Sequence, residues 1–456
     1  MKGTSANALA GDLREAGDVV FDPDVLESYR RDQAAPGLLE AGMPAVLVRP
    51  RTTAEVQAAV RAAGRHRLAV VPRGAGSGLS GGANAIEGCM VLSLERMTDI
   101  AEVDGASLTA TVQPGVINDS LREAARERGL WYAPDPASHE FSTIGGNVAT
   151  NAGGLCCVKY GVTRDALLEA EVVLADGEVV RVGGGTRKGV AGYDLVGLMC
   201  GSEGTLGVIT EATVRLLPMP GPAATLAAVF PELGAAGEAV AAIVRESQPS
   251  LLEVMDRATV NAVEDFQPME LDRTAEALLF ARSDTAGGVA DVERMSARCE
   301  EAGAALVVVS DEEAEGRMLM AARRLAYPAL ERRGATLLDD VAVPLGAIPT
   351  LLAEIEQIAG EEGVEIATFG HAGDGNMHPT IVYDERDPGQ AAAAAAGFAA
   401  ILGLAQRLGG TISGEHGIGL LKRPFLESEL GASLRLHHLI KRALDPAQLF
   451  NPGKGI

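Results

Sequence analysis

The chain has 456 residues, of which 47% are hydrophobic and 4% aromatic, and its formal net charge is −23. This length exceeds one ordinary hydrophobic core, so two or three domains are expected, and the acidic balance argues against a nucleic-acid binder. The five cysteines fit neither a secreted disulfide framework nor a cluster of iron–sulfur ligands. We find no uninterrupted apolar stretch of transmembrane length and no signal-peptide core, so we expect a cytoplasmic protein.

The first half of the chain predicts a helical lead-in followed by alternating strands and helices. Residues 5–32 are predicted to be helical, and Thr52 or Thr53 caps a helix that ends near Ala63. The remaining elements predicted here are strands at Val46–Val48, Leu68–Val71, Met90–Leu94, Ile100–Val103 and Leu108–Val112, a helix at Asn118–Arg128, and strands at Leu206–Ile209 and Thr213–Leu217.

A run of prolines and glycine, residues 218–222, is the clearest break in the pattern and predicts a domain boundary. Helices and strands alternate beyond it. Ala304–Val309 is one of the predicted strands, and the alanine run Ala391–Ala396 is expected inside a helix.

A glycine-rich loop follows the strand Leu68–Val71. Gly76, Gly78 and Gly81 satisfy the dinucleotide-binding pattern G-x-G-x-x-G. That pattern requires a helix at its third glycine, whereas this loop leads directly into the strand Met90–Leu94. The loop alone is therefore as compatible with a structural turn as with a nest of backbone N–H groups for a pyrophosphate.

Further glycine- and amide-rich segments follow this loop along the chain. They are residues 134–138, 142–154, 159–161, 192–195 and 201–210. Several such segments in one region indicate a large ligand held by backbone groups, with hydroxyls and amides as additional contacts.

Two short segments near the C-terminus, residues 370–378 and 413–419, contain three of the seven histidines. A hairpin turn at Asp374-Gly375 is expected to bring His371 and His378 together as a cross-strand pair. Two imidazoles and the carboxylate of Glu415 would form a three-ligand metal site with open positions, beside which His416 would act as a base. The alternative is a glycine-rich loop with incidental histidines.

Together and in order, these segments and the closing Phe450-Asn451-Pro452-Gly453-Lys454 resemble the vanillyl-alcohol oxidase and p-cresol methylhydroxylase superfamily, and within it the FAD-linked D-2-hydroxy-acid dehydrogenases. This family includes the flavin subunit of glycolate oxidase, D-lactate dehydrogenases and D-2-hydroxyglutarate dehydrogenases. The resemblance spans about residues 20–455. It implies an α+β fold. Residues 1–218 would form a two-part FAD-binding domain of the p-cresol methylhydroxylase type, with a helical lead-in at about residues 1–40. Residues 219–420 would form an antiparallel-sheet substrate or cap domain, and residues 421–456 would return to the FAD-binding domain.

The resemblance also implies which residues bind FAD. They are Arg73, Gly74, Gly76, Ser77, Gly78, Pro134, Ser138, Gly145, Asn147, Asn151, Gly154, Glu203, Gly207, Ile209 and Asn451. Glu203, Gly207 and Ile209 are expected near the adenine or ribose, and Asn451 near the isoalloxazine, while some of the glycines serve only turns. Because the first glycine loop lacks the histidine through which some superfamily members attach FAD, we expect non-covalent FAD.

For the C-terminal motifs, the resemblance implies that His371, His378 and Glu415 bind a divalent metal, usually zinc, with manganese or iron as alternatives. His416 corresponds to the base that takes the hydroxyl proton as the α-hydrogen leaves as hydride to flavin N5. Asn376 is either structural or near the site. Arg323, with Arg324 as the alternate, corresponds to the arginine that binds the substrate carboxylate, although both could lie on a solvated helix face.

The implied substrate is a small D-2-hydroxy acid of the D-lactate or glycolate type, because Leu338 stands where D-2-hydroxyglutarate dehydrogenases carry an extra lysine. D-2-hydroxyglutarate remains the alternative, and Lys422 either assists or lies at the surface.

Electrons must pass to oxygen, a quinone, a cytochrome or an electron-transfer protein, since the chain lacks iron–sulfur cysteines. The chain is then an independent enzyme, a homodimer, or the flavin subunit of a glycolate oxidase complex with an iron–sulfur subunit. A location at the membrane periphery is the alternative to a purely cytoplasmic one. An alkyl-ether-lipid synthase, an aromatic-alcohol oxidase or a silent FAD-binding module explains the metal-and-base motif less well.

Overall fold

The computed structural model describes residues 3–35 and 38–456, so the parts of the predicted lead-in at residues 1–2 and 36–37 lie outside the described residues. The chain divides into two compact units. Unit 1 comprises Met1–Gly153, Gly161–Met219 and Glu415–Ile456, and unit 2 comprises Gly154–Tyr160 and Pro220–Gly414. These bounds differ from the predicted ends at residues 218 and 420, and the segment 154–160 groups with unit 2 although it precedes the predicted boundary.

The elements before the proline-rich break belong mainly to unit 1. Up to Gly153 they are α1 (Gly3–Asp12), β1 (Asp18–Val20), α2 (Pro23–Glu27), β2 (Val46–Arg49), α3 (Thr53–His66), β3 (Val70–Arg73), β4 (Met90–Ser93), β5 (Ile100–Asp104), β6 (Thr109–Val112), α4 (Asn118–Arg126), β7 (Leu130–Trp131) and α5 (Ile144–Thr150). They continue with α6 (Cys157–Tyr160) in unit 2, then α7 (Thr163–Ala166), β8 (Leu167–Val173), β9 (Val179–Gly183), α8 (Leu195–Met199), β10 (Val208–Arg215) and β11 (Leu217–Pro218).

The remaining elements form most of unit 2 and the last segment of unit 1. In unit 2 they are β12 (Ala224–Phe230), α9 (Leu233–Glu246), β13 (Leu251–Asp256), α10 (Arg257–Phe266), β14 (Ala277–Ser283), α11 (Gly288–Glu301), β15 (Leu306–Ser310), α12 (Glu313–Leu319), α13 (Ala321–Glu331), β16 (Ala335–Leu338), β17 (Val341–Ala342), α14 (Ile348–Glu362), β18 (Glu365–His371), β19 (Asn376–Tyr383) and α15 (Pro388–Arg407). The last segment of unit 1 contains α16 (Leu426–Leu430) and α17 (Leu434–Leu444). Short 3₁₀ helices lie at Leu345–Ala347, Arg423–Phe425 and Gly431–Ser433.

Unit 1 contains two larger sheets. One has the order β1-β2-β4-β3, with β2 and β3 parallel to β4, and the other is antiparallel with the order β5-β6-β10-β8-β9. Thr52 caps α3, since its hydroxyl accepts the N–H of Glu55 at 3.2 Å. The C-terminal segment packs in this unit, where Phe450 bridges Val70 and is fully buried.

Two of the predicted elements in unit 1 were wrong. The lead-in is interrupted, because Gly17 turns the chain at φ +90° and β1 then pairs with β2. A Cβ on Gly17 would lie 3.0 Å from the carbonyl oxygen of Arg49, which explains the glycine. The two strands predicted within residues 206–217 are one strand, β10, whose polar middle contains a register shift between Ile209 and Glu211.

Unit 2 is built on an antiparallel sheet of order β15-β12-β14-β13-β18-β19-β16, with β17 also paired to β19. The helices α10, α12 and α13 pack on the face that carries Met255 and Phe369. The helices α9, α11, α14 and α15 form the layer on the other face, where Gly397 of α15 approaches Ile381. The predicted α+β fold with an antiparallel second sheet is confirmed.

The long helix α15 contains the predicted helical alanine run. It has 20 residues and a mean hydropathy of 1.4, and it alone among the helices of residues 3–35 and 38–456 could cross a membrane by length and composition. It packs against α14 and β19 inside unit 2, with Phe398, Ile401 and Leu402 buried. This packing accounts for its apolar composition.

Candidate functional site

The predicted hairpin is present, with β18 and β19 joined by residues 372–375 and Gly375 at φ +84°. His371 lies opposite Asn376, and His378 lies opposite Phe369. The histidines are therefore a diagonal cross-strand pair, and the hairpin brings them together as predicted. Because opposite and alternate residues share one face of a sheet, the two rings still meet, with centroids 5.1 Å apart and planes at 88°.

A buried glutamate that the sequence analysis missed connects His371 to a buried arginine. The register of β13 against β18, with Val254 opposite Gly370, places Glu253 beside His371. Glu253 is 0% exposed, and its Oε1 lies 2.7 Å from His371 Nδ1. Its Oε2 accepts a hydrogen bond from Arg323 Nε at 2.8 Å. The available signal was one acidic residue within the apolar run Leu251–Met255, which is unusual for a strand buried on both faces.

The choice between the adjacent arginines is settled by the helix α13. Arg323 is 8% exposed, and its guanidinium carbon lies 4.7 Å from the centroid of the Phe369 ring. Arg324 is exposed and donates to the carbonyl of Arg317 at 2.7 Å. Arg323 is thus the arginine on the histidine-bearing face, and the solvated-face alternative does not apply to it.

A second buried acid, Asp340, anchors the start of the other histidine motif. Its Oδ1 lies 4.0 Å from His378 Nδ1, and its Oδ2 accepts a hydrogen bond from Ser413 Oγ at 3.0 Å. Its backbone carbonyl accepts the N–H of Gly414 at 3.1 Å. The residues Ser413 and Gly414 are thereby fixed in unit 2, and Glu415 follows them directly in the chain as the first residue of the last segment of unit 1.

Asn376 has an unsatisfied polar atom close to these residues. Its side chain is buried, and its Oδ1 accepts no hydrogen bond in the described structure. A Cβ on Gly414 would lie 2.5 Å from this oxygen, so the glycine leaves room for the amide. A buried acceptor without a donor costs roughly 1–3 kcal/mol. It therefore favours a ligand at this place over a purely structural role.

Leu338, the residue on which the substrate prediction rests, lies on the same face as His378. It is paired with Thr380 across β16 and β19, and residues 378 and 380 share a face. It is partly buried and packs with the apolar cluster that contains Met255 and Phe369. This part of the histidine-bearing face is apolar.

All but one of the residues proposed from sequence to hold FAD belong to unit 1, the exception being Gly154. Gly74 lies against the start of α5, because a Cβ there would be 2.4 Å from Thr143 Oγ1. Among the described residues, the N–H groups of residues 74–79 donate to no protein acceptor. As the sequence analysis expected, no helix follows the third glycine, and the loop runs into β4. Six successive N–H groups without a protein acceptor are donors of the kind that bind a pyrophosphate in a backbone nest.

Two further predicted contacts stand at left-handed backbone positions beside this loop. Glu203 has φ +51° and Asn451 has φ +44°. Asn451 Nδ2 donates to the carbonyls of Gly82 at 3.0 Å and Glu203 at 2.8 Å, while its buried Oδ1 has no hydrogen-bond partner. This free acceptor fits a cofactor donor, such as a flavin ring N–H.

The carboxylate of Glu203 is used within the protein. It accepts the N–H groups of Ile418 at 2.9 Å and Gly419 at 2.7 Å, and burial raises its pKa. Ser80 Oγ also donates to the carbonyls of His416 and Gly417, at 3.1 and 3.0 Å. The predicted base therefore stands on a loop held from both sides, and Glu203 has a structural explanation besides the expected adenine or ribose contact.

Several other predicted FAD contacts have packing explanations. A Cβ on Gly207 would lie 2.5 Å from Val172 Cγ1, and Ile209 is buried in the core of unit 1. A Cβ on Gly145 would lie 2.4 Å from Pro114 Cβ, while Gly154 belongs to unit 2. Asn147 lies in the middle of α5, and the other members lie in unit 1 loops or at the ends of elements, namely Arg73, Gly76, Ser77, Gly78, Pro134, Ser138 and Asn151.

Two lysines of the last segment of unit 1 are buried. Lys422 is 1% exposed, so its alternative reading as a surface residue was wrong. Lys454 was missed as a functional candidate, and its Nζ donates to the carbonyl of Gly82 at 3.1 Å. Burial lowers the pKa of Lys454 to about 8. Lys454 places its ammonium group beside Gly82 of the glycine loop, where the phosphate groups of a bound cofactor would carry negative charge.

Comparison with known proteins matches both halves of the chain. The family model "FAD binding domain" covers residues 44–183, and "FAD linked oxidases, C-terminal domain" covers residues 219–455. The chain is 41% identical to the glycolate oxidase subunit GlcD of Bacillus subtilis (strain 168), over 97% of this chain and 93% of that protein. It is 36% identical to a D-lactate dehydrogenase of Anaerostipes hadrus, over 96% and 94% of the two chains.

Two solved structures share the fold at low sequence identity. The structure of p-cresol methylhydroxylase with substrate bound superimposes with a TM-score of 0.82 at 18% identity, covering 100% of this chain and 97% of that one. An alkyldihydroxyacetonephosphate synthase gives a TM-score of 0.74 at 19% identity, covering 98% and 84%. At these identities the likeness shows the fold alone.

Proposed function

We propose that this FAD-dependent oxidoreductase converts a small D-2-hydroxy acid into the 2-oxo acid. The chain belongs to the family of FAD-linked oxidases. The observation that carries the substrate class is the buried set of Arg323, Glu253, His371 and His378 on one face of the unit 2 sheet. Glycolate and D-lactate, which the names of the relatives contain, each offer one carboxylate and one hydroxyl to such a set.

Two residues divide the work on the substrate in this proposal. Arg323 binds the carboxylate, because guanidinium N–H groups match the two carboxylate oxygens. His416 accepts the hydroxyl proton as the α-hydrogen leaves with its electron pair, for which FAD, when bound, supplies the hydride acceptor. The support for His416 is its rigid loop, which Glu203 and Ser80 fix through backbone groups.

The donor set near the hairpin fits a divalent metal. His371 and His378 would supply two nitrogens, and Glu415, which directly follows the anchored Gly414, would supply an oxygen. Such a mixed set suits zinc, manganese or iron and leaves positions for a hydroxy acid. When bound, the metal would polarise the substrate hydroxyl and hold it with the carboxylate.

FAD is proposed to bind without a covalent link. The loop of residues 73–88 contains no histidine, and Cys89 beyond it is buried, with its pKa raised to about 11 by that burial. A buried, protonated thiol is a poor nucleophile. Acid precipitation of the holoenzyme should release FAD into the supernatant, and a yellow pellet would contradict this part of the proposal.

The proposed substrate is small because Leu338, which shares a face of the sheet with His378, supplies an apolar side chain in place of a cation. A second carboxylate placed against an apolar wall would lose its hydration without gaining a partner. D-2-hydroxyglutarate is the alternative substrate, for which Arg324 is a poor aid because its side chain is exposed.

A second candidate function is the flavin subunit of a larger complex, which the name of the Bacillus subtilis relative favours. None of the spacings among the five cysteines suits an iron–sulfur cluster. Electrons from the reduced flavin would therefore pass to a quinone, a cytochrome, an electron-transfer protein or oxygen.

Anaerobic reduction of bound FAD tests the proposed function. The holoenzyme is mixed with D-lactate, glycolate, D-2-hydroxyglutarate and the L-enantiomers, and bleaching of the flavin band is followed in a stopped-flow instrument. We expect rapid bleaching by D-lactate or glycolate. A preference for L-enantiomers, or no bleaching by any 2-hydroxy acid, would overturn the proposal. Turnover only after addition of a partner subunit would favour the second candidate function.

A further inference from the structure

Glu253 is a fully buried carboxylate whose two oxygens contact two different residues of the proposed site. Oε1 lies 2.7 Å from His371 Nδ1, and Oε2 lies 2.8 Å from Arg323 Nε. We propose that Glu253 is a positioning residue that orients the metal-binding nitrogen of His371 and the carboxylate-binding edge of Arg323 together. This inference rests on the proposed function of the site.

The contact with His371 determines which ring nitrogen faces away from Glu253 and would bind a metal. An ionised carboxylate only accepts hydrogen bonds, so the proton of the neutral imidazole is placed on Nδ1. The lone pair then lies on Nε2, which is the form of histidine that binds a metal ion. A histidine without this partner would divide its proton between the two nitrogens and would turn about its side-chain bonds.

The contact with Arg323 determines which guanidinium groups are free for a substrate. The guanidinium has five N–H groups, and Glu253 engages the one on Nε. In the described structure Arg323 donates to no other protein acceptor, while its plane is held over the ring of Phe369 at 4.7 Å. The terminal nitrogens therefore remain available as a fork for a carboxylate.

The surroundings show that Glu253 is placed for this purpose and not for solubility. The residue is 0% exposed, and its neighbours Leu251, Leu252, Val254 and Met255 are also buried. An unpaired charge at this position would cost several kcal/mol, so the strand tolerates it only with both partners present. The side chain of Glu253 thus contacts both His371, which is proposed to bind the metal, and Arg323, which is proposed to bind the substrate carboxylate.

Replacement by glutamine provides a sharp test, because Glu253→Gln keeps the shape and leaves one acceptor oxygen. If the amide oxygen faces His371, the amide NH₂ faces the N–H of Arg323. If the amide oxygen faces Arg323, the NH₂ faces His371 and drives the proton to Nε2, which blocks the metal. Glu253→Asp keeps both acceptor oxygens but shortens the side chain by one methylene.

The measurement is the affinity of the full-length, FAD-loaded protein for Zn²⁺, by competition with a chromophoric chelator. Loss of a carboxylate behind a metal-binding histidine weakens binding roughly 10–100-fold. We expect wild type to bind most tightly, Glu253→Asp next, and Glu253→Gln least. If shape alone mattered, Gln would be the better substitute and the order of the variants would be reversed, which would overturn the inference.

A second readout addresses Arg323. The substrate concentration that half-saturates flavin reduction should rise in both variants, and more in Glu253→Gln than in Glu253→Asp. An unchanged value in Glu253→Gln would remove Arg323 from the inference. Should Glu253→Gln fail to fold, Glu253→Asp alone decides, since weakened Zn²⁺ binding with normal FAD content supports the inference and wild-type binding contradicts it.

Asp256→Asn is the matched control, because Asp256 ends the same strand and is a structural acid. Its carboxylate accepts the N–H groups of Thr259 at 2.8 Å and Thr368 at 2.7 Å. The control should keep the Zn²⁺ affinity of wild type, and a loss equal to that of Glu253→Gln would mean that any disturbance of β13 suffices. Failure of the wild type to bind Zn²⁺ would instead count against the proposed metal site, which separates the two failures.

Discussion

The glycine loops of unit 1 and the histidine hairpin of unit 2 present opposite kinds of chemical group. The loops offer backbone N–H groups at residues 74–79, where a Cβ added at Gly74 or Gly76 would collide with a neighbouring side chain. The hairpin offers buried side chains, and that of His371 is held by the buried Glu253. A backbone site is sensitive to an added Cβ, whereas a side-chain site is sensitive to the loss or rotation of a single group.

The largest effect is expected when the side-chain chemistry itself is removed. His416→Ala should slow flavin reduction roughly 10²–10⁴-fold, the usual contribution of a general base. FAD content and Zn²⁺ affinity should remain near wild type, because the loop is held through backbone groups of residues 416–419. Single-turnover stopped-flow measurement gives the rate. A rate within about twofold of wild type, which is far below the contribution of a base, would assign His416 a structural role.

The opposite case adds one methyl group to the backbone site. Gly74→Ala places a Cβ where Thr143 Oγ1 would be 2.4 Å away, and overpacking of this kind costs roughly 1–3 kcal/mol. The FAD affinity should fall by about 5- to 100-fold, while Zn²⁺ affinity stays unchanged. Gly105→Ala is the control, since a Cβ there meets no atom within 4 Å. Fluorescence titration of the apoprotein with FAD measures both variants, and equal affinities would contradict a close-packed FAD loop.

The apolar side chain of Leu338 allows the choice between small and dicarboxylate substrates to be tested at a single position. Leu338→Lys should raise the ratio of kcat/KM for D-2-hydroxyglutarate to that for D-lactate by about tenfold, since a charge-assisted hydrogen bond contributes about 1.5–3 kcal/mol. Leu338→Met preserves size without charge and should leave the ratio unchanged. A wild type that already prefers D-2-hydroxyglutarate would show that Leu338 does not decide substrate size.

The smallest effect on the reaction is expected for the substitution Asp256→Asn. This residue instead contributes to the stability of the folded protein, and its contribution depends on pH. Burial raises the pKa of this carboxyl from 3.8 to about 6. Because the folded state holds the proton more tightly than the unfolded state, the stabilisation is complete below pH 3.8 and is lost as the pH rises through 6. The difference in unfolding free energy between wild type and Asp256→Asn should therefore decrease by about 2 kcal/mol from pH 4 to pH 7. Urea titrations at several pH values measure it, and a flat difference would place the pKa near its ordinary value.

Local sequence patterns predicted much of the fold because the forces involved are short-range. The pattern of apolar residues located the strands β2 to β6 of unit 1, and Thr52 marked the start of α3. The failures are equally local in origin. The polar residues in the middle of β10 resemble a break between two strands. A β-bulge or a solvent-facing stretch within one strand produces the same polar pattern in the sequence. The short strand β1 was missed because three residues give no measurable period.

By itself, the sequence determined the family and the chemical residue types of the site, because the ordered glycine segments and histidine motifs are contiguous in the chain and need no fold to be recognised. Only the tertiary structure decided which of Arg323 and Arg324 is buried, because two adjacent residues differ by a 100° rotation on a helix whose neighbours must be known. Only the register of β13 against β18 revealed Glu253 beside His371, 118 residues away in the chain. Pairing between distant strands depends on packing across the whole sheet, which no local pattern encodes.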